Sequence, residues 1–173
     1  MPHLNRRTLC ALGLATLSFG CVAGDDRSAP VTAPTTQPGA FALATGADVR
    51  AQVAAMLAEM EPEQGFMWRP LVQDGARVAA IEVWKKPGRP ATHPTEAEYA
   101  IVLEGNGTLI AGGTMVDPVT LASGLIEGER IEGGSERALG PGDVMLIPAG
   151  VPHWFGITGD RLVLLGTKMP SEE

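Results

Sequence analysis

The hydrophobic pattern along the chain predicts one helix followed by many short strands. Thr45 and Asp48 have the spacing of a capping box, a pattern typical of a helix N-terminus. After them, apolar residues recur every three or four positions and so share one helix face: Val49, Val53, Met56, Leu57 and Met60. Pro62 ends this pattern, because proline disfavours a helical conformation at the preceding residue. We therefore predict a short N-terminal helix that packs through one face.

Beyond the helix, apolar runs rich in β-branched residues alternate with turns that contain glycine or proline. These runs predict strands at 77–85, 99–103, 108–111, 125–131, 136–139, 143–147 and 161–167. The dipeptide Asn106–Gly107 predicts a hairpin turn between two of the strands. Residues 114–134 have only short strand signals and predict a long, partly irregular connection. Strands at this spacing are typical of an all-β sandwich or closed barrel.

Length and charge narrow the class of protein. The chain has 173 residues, enough for one ordinary domain with a buried core. Thirteen basic and twenty acidic residues give a formal net charge of -7, and the basic residues form no run. A nucleic-acid binder is excluded on this basis, since little would neutralise phosphates. Both cysteines, Cys10 and Cys21, lie near the N-terminus, so the rest of the chain has no disulfide and no thiolate metal site.

Residues 1–23 have the pattern of an export signal. Arg6 and Arg7 precede an uncharged, largely apolar stretch at 9–19, which is too short to cross a bilayer as a helix. The adjacent arginines are similar to a twin-arginine signal, and an ordinary secretory signal fits the same residues. Either interpretation predicts a protein exported to the periplasm or the cell envelope.

Cys21 follows a small residue, as the lipidated cysteine of a bacterial lipobox does, although Ser18 stands where that pattern favours leucine. Cleavage near Ala23 without a lipid is the alternative. A lipid on Cys21 would be the chain's only attachment to a membrane. Residues 24–45 are rich in proline, threonine and alanine and predict a flexible linker, which leaves 46–173 as the folded domain.

The candidate chemistry lies around two histidines, His93 and His153, and the carboxylate of Glu98. Each of the three adjoins a different predicted strand or turn. Two imidazoles and one carboxylate that converge in a barrel, with coordination positions left open, can bind catalytic iron, manganese or zinc. A histidine on a surface or in a hydrogen-bonded core gives the same sequence signal, so the chemistry alone leaves both interpretations open.

The spacing of glycine, proline and these ligands resembles that of a known family. Residues 142–153 have the form G-x5-P-x-G-x2-H, and residues 98–105 have the form E-x6-G. The two segments resemble the second motif and the tail of the first motif of the cupins, over about residues 66–169. This resemblance implies an all-β, cupin-type double-sheet jelly-roll barrel with a short N-terminal helix. It also implies a divalent metal (Fe, Mn or Zn) bound by His93, Glu98 and His153.

The first motif is incomplete, because the family's usual H-x-H pair is reduced to one histidine. Counting back from Glu98, His93 takes the place of the second histidine and Ala91 that of the first. Counting forward from Gly88, His93 falls nearer the first place and Thr95 stands at the second. Both alignments remain open, and both leave one ligand fewer than is usual in the family.

The resemblance implies an exported single-domain cupin that binds a divalent metal and a small oxygenated organic molecule, as a dioxygenase- or decarboxylase-type enzyme does. Glu96 or Tyr99 would then supply proton transfer. The alternative is a metal-free cupin that binds or senses a small molecule without catalysis. A homodimer is a further expectation from the resemblance. Four large residues are predicted either to line an apolar substrate pocket or to pack in the core: Trp84, Met145, Trp154 and Phe155.

Overall fold

The computed structural model describes residues 41–171. The predicted export signal and most of the predicted linker lie outside these residues. Helix α1 spans Gly46–Glu59 and begins with the predicted capping box. Thr45 N–H donates to Asp48 Oδ2 at 2.7 Å, and Asp48 N–H donates to Thr45 Oγ1 at 3.3 Å. The helix prediction is thus confirmed at its start, and within 41–171 no helix is long and apolar enough to cross a membrane.

In residues 41–171, eleven strands follow the helix. They are β1 (Phe66–Asp74), β2 (Arg77–Trp84), β3 (Ala91–Thr92), β4 (Glu96–Ala111), β5 (Thr114–Val116), β6 (Val119–Thr120), β7 (Ile126–Glu127), β8 (Arg130–Glu132), β9 (Ser135–Leu139), β10 (Val144–Ile147) and β11 (His153–Pro170). The short strands β5 to β8 occupy the segment predicted as a partly irregular connection.

The two long strands, β4 and β11, pair with each other and belong to two layers at once. The C-terminal half of β11 and the N-terminal half of β4 lie in one layer, in the order β1-β2-β11-β4-β10. Their other halves lie in a second layer, in the order β6-β7-β3-β11-β4-β9. Strands β5 and β8 form a separate antiparallel pair. All these pairings are antiparallel, and the predicted double-sheet jelly-roll barrel is confirmed.

The predicted hairpin turn at Asn106–Gly107 is wrong, because both residues lie inside β4. Gly105 and Gly107 instead allow β11 to lie close to β4. A Cβ on Gly107 would overlap the carbonyl oxygen of Gly156, and one on Gly105 would overlap that of Arg161. Gly105 also has a φ of +78°, which L residues with a side chain rarely adopt. Glycine is therefore needed here to keep two strands together.

Strand β1 was not among the predicted strands, and Pro70 in its middle explains why. Proline cannot donate a ladder hydrogen bond and is tolerated mainly in edge strands or at bulges. Strand β1 is the edge of its layer, and its register with β2 shifts between Pro70 and Val72. The amide of Gln52 on α1 covers this irregularity, since its Nε2 donates to Arg69 O at 3.1 Å and to Pro70 O at 3.0 Å.

Strand β11 changes phase along its length. His153 and Phe155 are buried at one end and Leu162 and Leu164 at the other, although strict alternation would place the two pairs on opposite faces. The pairing with β4 is irregular between Ile157 and Leu162, and this irregularity shifts the alternation by one residue. Both ends of β11 therefore turn their alternate side chains into the barrel.

The core has two parts, one on each face of the layer that contains β2. Ile81 and Val83 of β2 pack with α1 in a cluster that also includes Val53, Met56, Met60, Leu71 and Val163. This confirms the predicted packing face of the helix. The second cluster lies inside the barrel and contains Ala100, Val102, Leu139, Met145, Ile147, Phe155, Leu162 and Leu164. Because residues alternate along β2, Glu82 and Trp84 face the barrel interior, where the candidate site lies.

Candidate metal centre

Three different segments position the candidate ligands. His93 directly follows β3, and its carbonyl oxygen accepts a hydrogen bond from Gly150 N–H at 2.8 Å. Glu98 lies on β4 with its side chain inward. His153 is the first residue of β11 and pairs directly with Ala91 of β3. Strand pairing thus brings together residues that are up to 60 positions apart in the sequence.

The three donor atoms converge on one carboxylate oxygen. Glu98 Oε2 lies 3.5 Å from His93 Nε2 and 3.2 Å from His153 Nε2. One ligand atom from each residue lies within 4.8 Å of the other two. Glu98 and His153 are buried, and His93 is partly exposed. The structure thus brings the three predicted ligands together in one cluster, and their role as metal ligands stays a prediction.

The backbone orients the ring of His153. Its Nδ1 lies 3.0 Å from the carbonyl oxygen of Val151, and since a carbonyl only accepts, Nδ1 carries the proton. The Nε2 atom faces Glu98 Oε2, so a neutral ring offers its lone pair to a metal ion there, and a charged ring donates a hydrogen bond to the carboxylate. Metal-binding histidines typically donate a hydrogen bond of this kind from the ring nitrogen that does not bind the metal. With two imidazoles and one carboxylate, the donor set fits a divalent iron, manganese or zinc ion.

Lys168 is a fourth group at the same oxygen, and the sequence analysis did not identify it. Its Nζ donates a hydrogen bond to Glu98 Oε2. Burial alone would raise the pKa of the Glu98 carboxyl, but hydrogen bonds from His153 and His93 and the charge of Lys168 hold it well below its usual range. Glu98 is therefore an anion, and its charge is balanced by Lys168 and by hydrogen bonds from His93 and His153.

Glu82 is the second residue that the sequence analysis missed. Its side chain faces the interior and the residue is only 7% exposed. The indole Nε1 of Trp84 donates to Glu82 Oε2 at 3.0 Å. Burial, reinforced by the negative charge of Glu98, raises the pKa of Glu82 despite the opposing effect of Lys168. A lone acid within the apolar run of β2 was the sequence signal that could have identified it.

A cavity of about 420 Å³ opens onto the three candidate ligands. Its walls are largely aromatic and are formed by Phe66, Trp68, Trp84, Trp154 and Phe155, and its polar lining includes Glu82, Arg89, Glu127 and Lys168. Of the four large residues predicted to line a pocket or the core, Met145 alone lies only in the core cluster. Flat apolar walls beside a few polar groups are typical of small-molecule sites.

The position of Ala91 bears on the incomplete motif. Ala91 lines the cavity with all three candidate ligands, whereas Thr95 lines a neighbouring depression that includes His93 and Glu96 but neither Glu98 nor His153. The alignment that counts back from Glu98 therefore places the replaced histidine inside the site. Tyr99 is 37% exposed and alternates with Glu98 along β4, so its side chain points away from the barrel interior. The proton-transfer roles of Glu96 and Tyr99 stay predictions.

The fold and the site together define a double-sheet β-barrel with a two-histidine, one-carboxylate centre in its mouth. Residues 88–168 match the family model described as Cupin. Over these residues the barrel matches the cupin family. The match includes all three candidate ligands. No curated protein matches this chain.

Solved structures resemble this fold at low sequence identity. A hydroquinone 1,2-dioxygenase, solved with Cd²⁺ and 4-hydroxybenzonitrile, is 18% identical, with 83% of this chain and 92% of that chain covered and a TM-score of 0.51. A cupin superfamily protein from Desulfitobacterium hafniense is 17% identical, with 68% and 87% covered and a TM-score of 0.45. A protein from Thermus thermophilus is 19% identical, with 68% and 93% covered and a TM-score of 0.48. These likenesses concern the fold.

Proposed function

We propose that this domain binds one divalent metal through His93, Glu98 and His153 and a small oxygenated organic molecule in the adjacent cavity, as an enzyme of the dioxygenase or decarboxylase type. The observation that carries the proposal is the convergence of both Nε2 atoms on Glu98 Oε2 at the end of an aromatic cavity. Three protein ligands leave coordination positions open for a substrate.

The residues around the centre would have two roles, to contact the substrate and to donate a hydrogen bond to one of its oxygens. The metal, when bound, supplies Lewis-acid polarisation of substrate oxygens or, as iron or manganese, reactivity toward O₂. Trp84, Trp154 and Phe155 would exclude water and contact an apolar or aromatic substrate body. Glu82 lines the same cavity, and its raised pKa favours a protonated carboxyl that can donate to a substrate oxygen.

Metal content is the first test. Protein purified without chelator should contain Mn, Fe or Zn by elemental analysis, or take up one equivalent on titration. His93→Ala, Glu98→Gln and His153→Ala should each weaken binding by about 100-fold or more, since each removes one of only three ligands. Glu136→Gln removes an exposed carboxylate from β9 and serves as the charge-matched control. Wild-type protein that takes up no metal would contradict the proposal.

Turnover is the second test. Protein loaded with Fe(II) or Mn(II) is screened with small acids, diketones and phenols for O₂ uptake and CO₂ release. Activity that is lost in both His93→Ala and His153→Ala, and retained in Glu136→Gln, supports the enzyme.

A metal-free binding or sensing protein is the alternative, and one specific observation favours it. Lys168 already donates to Glu98 Oε2, so the site contains its own cation, and one of the family's usual histidines is absent. This alternative predicts a ligand that raises the melting temperature equally in wild type, His93→Ala and His153→Ala. It also predicts no turnover with any loaded metal.

We further propose that the domain is exported and is either free in the periplasm or lipid-anchored at Cys21. The adjacent Arg6 and Arg7 and the apolar stretch at 9–19 support export. Cell fractionation tests it, with the double variant Arg6→Lys and Arg7→Lys expected to block a twin-arginine route. Loss of fatty-acid labelling in Cys21→Ala would support the anchor, and labelling absent from wild type would support plain cleavage.

A further inference from the structure

We propose that Lys168 is an internal cation that competes with the metal for Glu98 and thereby lowers the metal affinity of the centre. This inference rests on the proposed metal-binding function and adds to it a residue that regulates the same site. Lys168 belongs to neither cupin motif that the sequence contains, and its role follows from its position opposite Glu98.

Strand pairing places Lys168 directly across from Glu98. The two residues are opposed in the antiparallel register of β11 and β4. The Nζ atom donates to Glu98 Oε2, and both residues face the interior. The carboxylate is 3% exposed and the lysine side chain 32% exposed, so solvent weakens their interaction only in part.

Three groups compete for one oxygen. Glu98 Oε2 faces His93 Nε2, His153 Nε2 and Lys168 Nζ at once. A divalent ion bound to both imidazoles and this oxygen would lie next to the ammonium group. Two like charges so close in a poorly hydrated interior repel each other strongly. A metal ion must therefore either displace Lys168 from Glu98 or bind beside its positive charge. Both lower the affinity of the centre for the metal.

The structure provides a place for the displaced ammonium. Lys168 also lines an adjoining cavity of about 670 Å³, together with Glu82 and Glu96. The residues common to both cavities are Trp68, Glu82 and Lys168. A lysine side chain has several rotatable bonds, so Nζ can leave Glu98 and still remain beside carboxyl groups. Competition is thus sterically feasible without unfolding of β11.

The test compares metal dissociation constants by equilibrium dialysis with Mn²⁺ and Zn²⁺. Lys168→Met retains an unbranched apolar side chain and removes the charge, and we expect it to bind metal at least tenfold more tightly, about 1.4 kcal/mol. Lys168→Arg retains a cation and should stay within about threefold of wild type. Lys85→Met removes a lysine charge outside the cavity lining and should leave the affinity unchanged.

A thermal-shift experiment gives an independent readout. Without metal, Lys168→Met leaves the Glu98 carboxylate short of a cation and should melt below wild type. With saturating Mn²⁺ the order should reverse or the gap should close, which a purely structural role would not produce. If Lys168→Met does not fold, Lys168→Gln replaces it, being uncharged and polar.

The outcomes separate this inference from the proposed function. Metal binding by wild type that is unchanged or weaker in Lys168→Met overturns the competition and leaves the metal centre in place. Uptake by Lys168→Met alone supports the competition in its strongest form. No uptake by wild type or by any Lys168 variant overturns the metal centre, and the competition with it.

Discussion

The indole Nε1 of Trp84 lies 3.0 Å from Oε2 of Glu82 and donates a hydrogen bond to it. The two residues are neighbours on the interior face of β2, and both line the cavity. A hydrogen bond to a carboxylate oxygen stabilises its charged form, yet burial has the larger effect here and raises the pKa of Glu82.

The raised pKa predicts how stability depends on pH. The folded state binds the proton of Glu82 more tightly than the unfolded state, whose pKa is near 4.5. The stability that protonation of Glu82 contributes to the folded state is therefore complete below the pKa of the unfolded state. It is lost as pH rises through the pKa of the folded state. Each unit of difference between the two pKa values contributes about 1.4 kcal/mol.

Glu82→Gln should remove this dependence, since glutamine resembles the protonated acid. We expect the metal-free variant to match wild type near pH 4 and to exceed it in free energy of unfolding at pH 7 to 8. Urea unfolding in the presence of chelator measures this difference. Asp74→Asn at an exposed position of β1 is the control, and a Glu82→Gln variant less stable than wild type throughout the range would contradict the prediction.

Ala91→His tests which alignment of the incomplete motif applies. Ala91 pairs directly with His153 and lines the cavity, so an imidazole there can reach the centre as a fourth ligand. We expect Zn²⁺ or Mn²⁺ to bind at least tenfold more tightly. Thr95→His introduces the same side chain in the neighbouring depression and should leave the affinity unchanged. Tighter binding in Thr95→His and not in Ala91→His would favour the other alignment.

Gly107→Ala tests the role of glycine inside β4. A Cβ at this position overlaps the Gly156 carbonyl oxygen and lies 3.1 Å from Leu162 Cδ2. Separating the strands to relieve this overlap should cost about 2–3 kcal/mol of unfolding free energy. Gly159→Ala, with no atom within 4 Å of its added Cβ, should change stability by less than about 0.5 kcal/mol. Equal stability of the two variants in chemical denaturation would show that β4 and β11 can separate at little cost, and would contradict the prediction.

Gln52→Leu tests the contact between the helix and the edge strand. The substitution keeps the side chain's size and removes the amide that bonds the carbonyls of Arg69 and Pro70. Two partly buried acceptors without a donor should lower the unfolding free energy by about 1–3 kcal/mol. Arg50→Ala, exposed on the same helix, should be near neutral. Stability retained in Gln52→Leu would mean that water replaces the amide.

Local patterns predicted the parts of the fold that depend on neighbours in sequence. The capping box and the apolar stripe determine α1 through contacts within a few residues, and the predicted start of the helix matches the structure. The motif spacing likewise placed His93, Glu98 and His153 in one cluster. Glycines within β4 misled the prediction, because a glycine for close strand packing and a glycine for a turn give the same local signal.

The missed residues depend on pairing between distant strands. Lys168 reaches Glu98 across 70 positions, and no pattern near either residue indicates that they are opposed. Glu82 stands out locally as the lone acid in the apolar run of β2, but whether its carboxyl is buried depends on which distant strands pack over it. Such residues follow from strand register, which a single sequence does not determine.

The irregular pairing of β11 with β4 between Ile157 and Leu162 makes the charge of the centre sensitive to insertions and deletions in that stretch. His153 and Lys168 lie on either side of it, and both face Glu98 because the alternation shifts there. If the loss of one residue from this stretch shifted the register of the C-terminal half of β11 against β4, Met169 would lie opposite Glu98, and a gain of one would place Thr167 there. A single-residue change in length, remote from every ligand, would then exchange a cation for a neutral side chain while the three donor groups stayed in place.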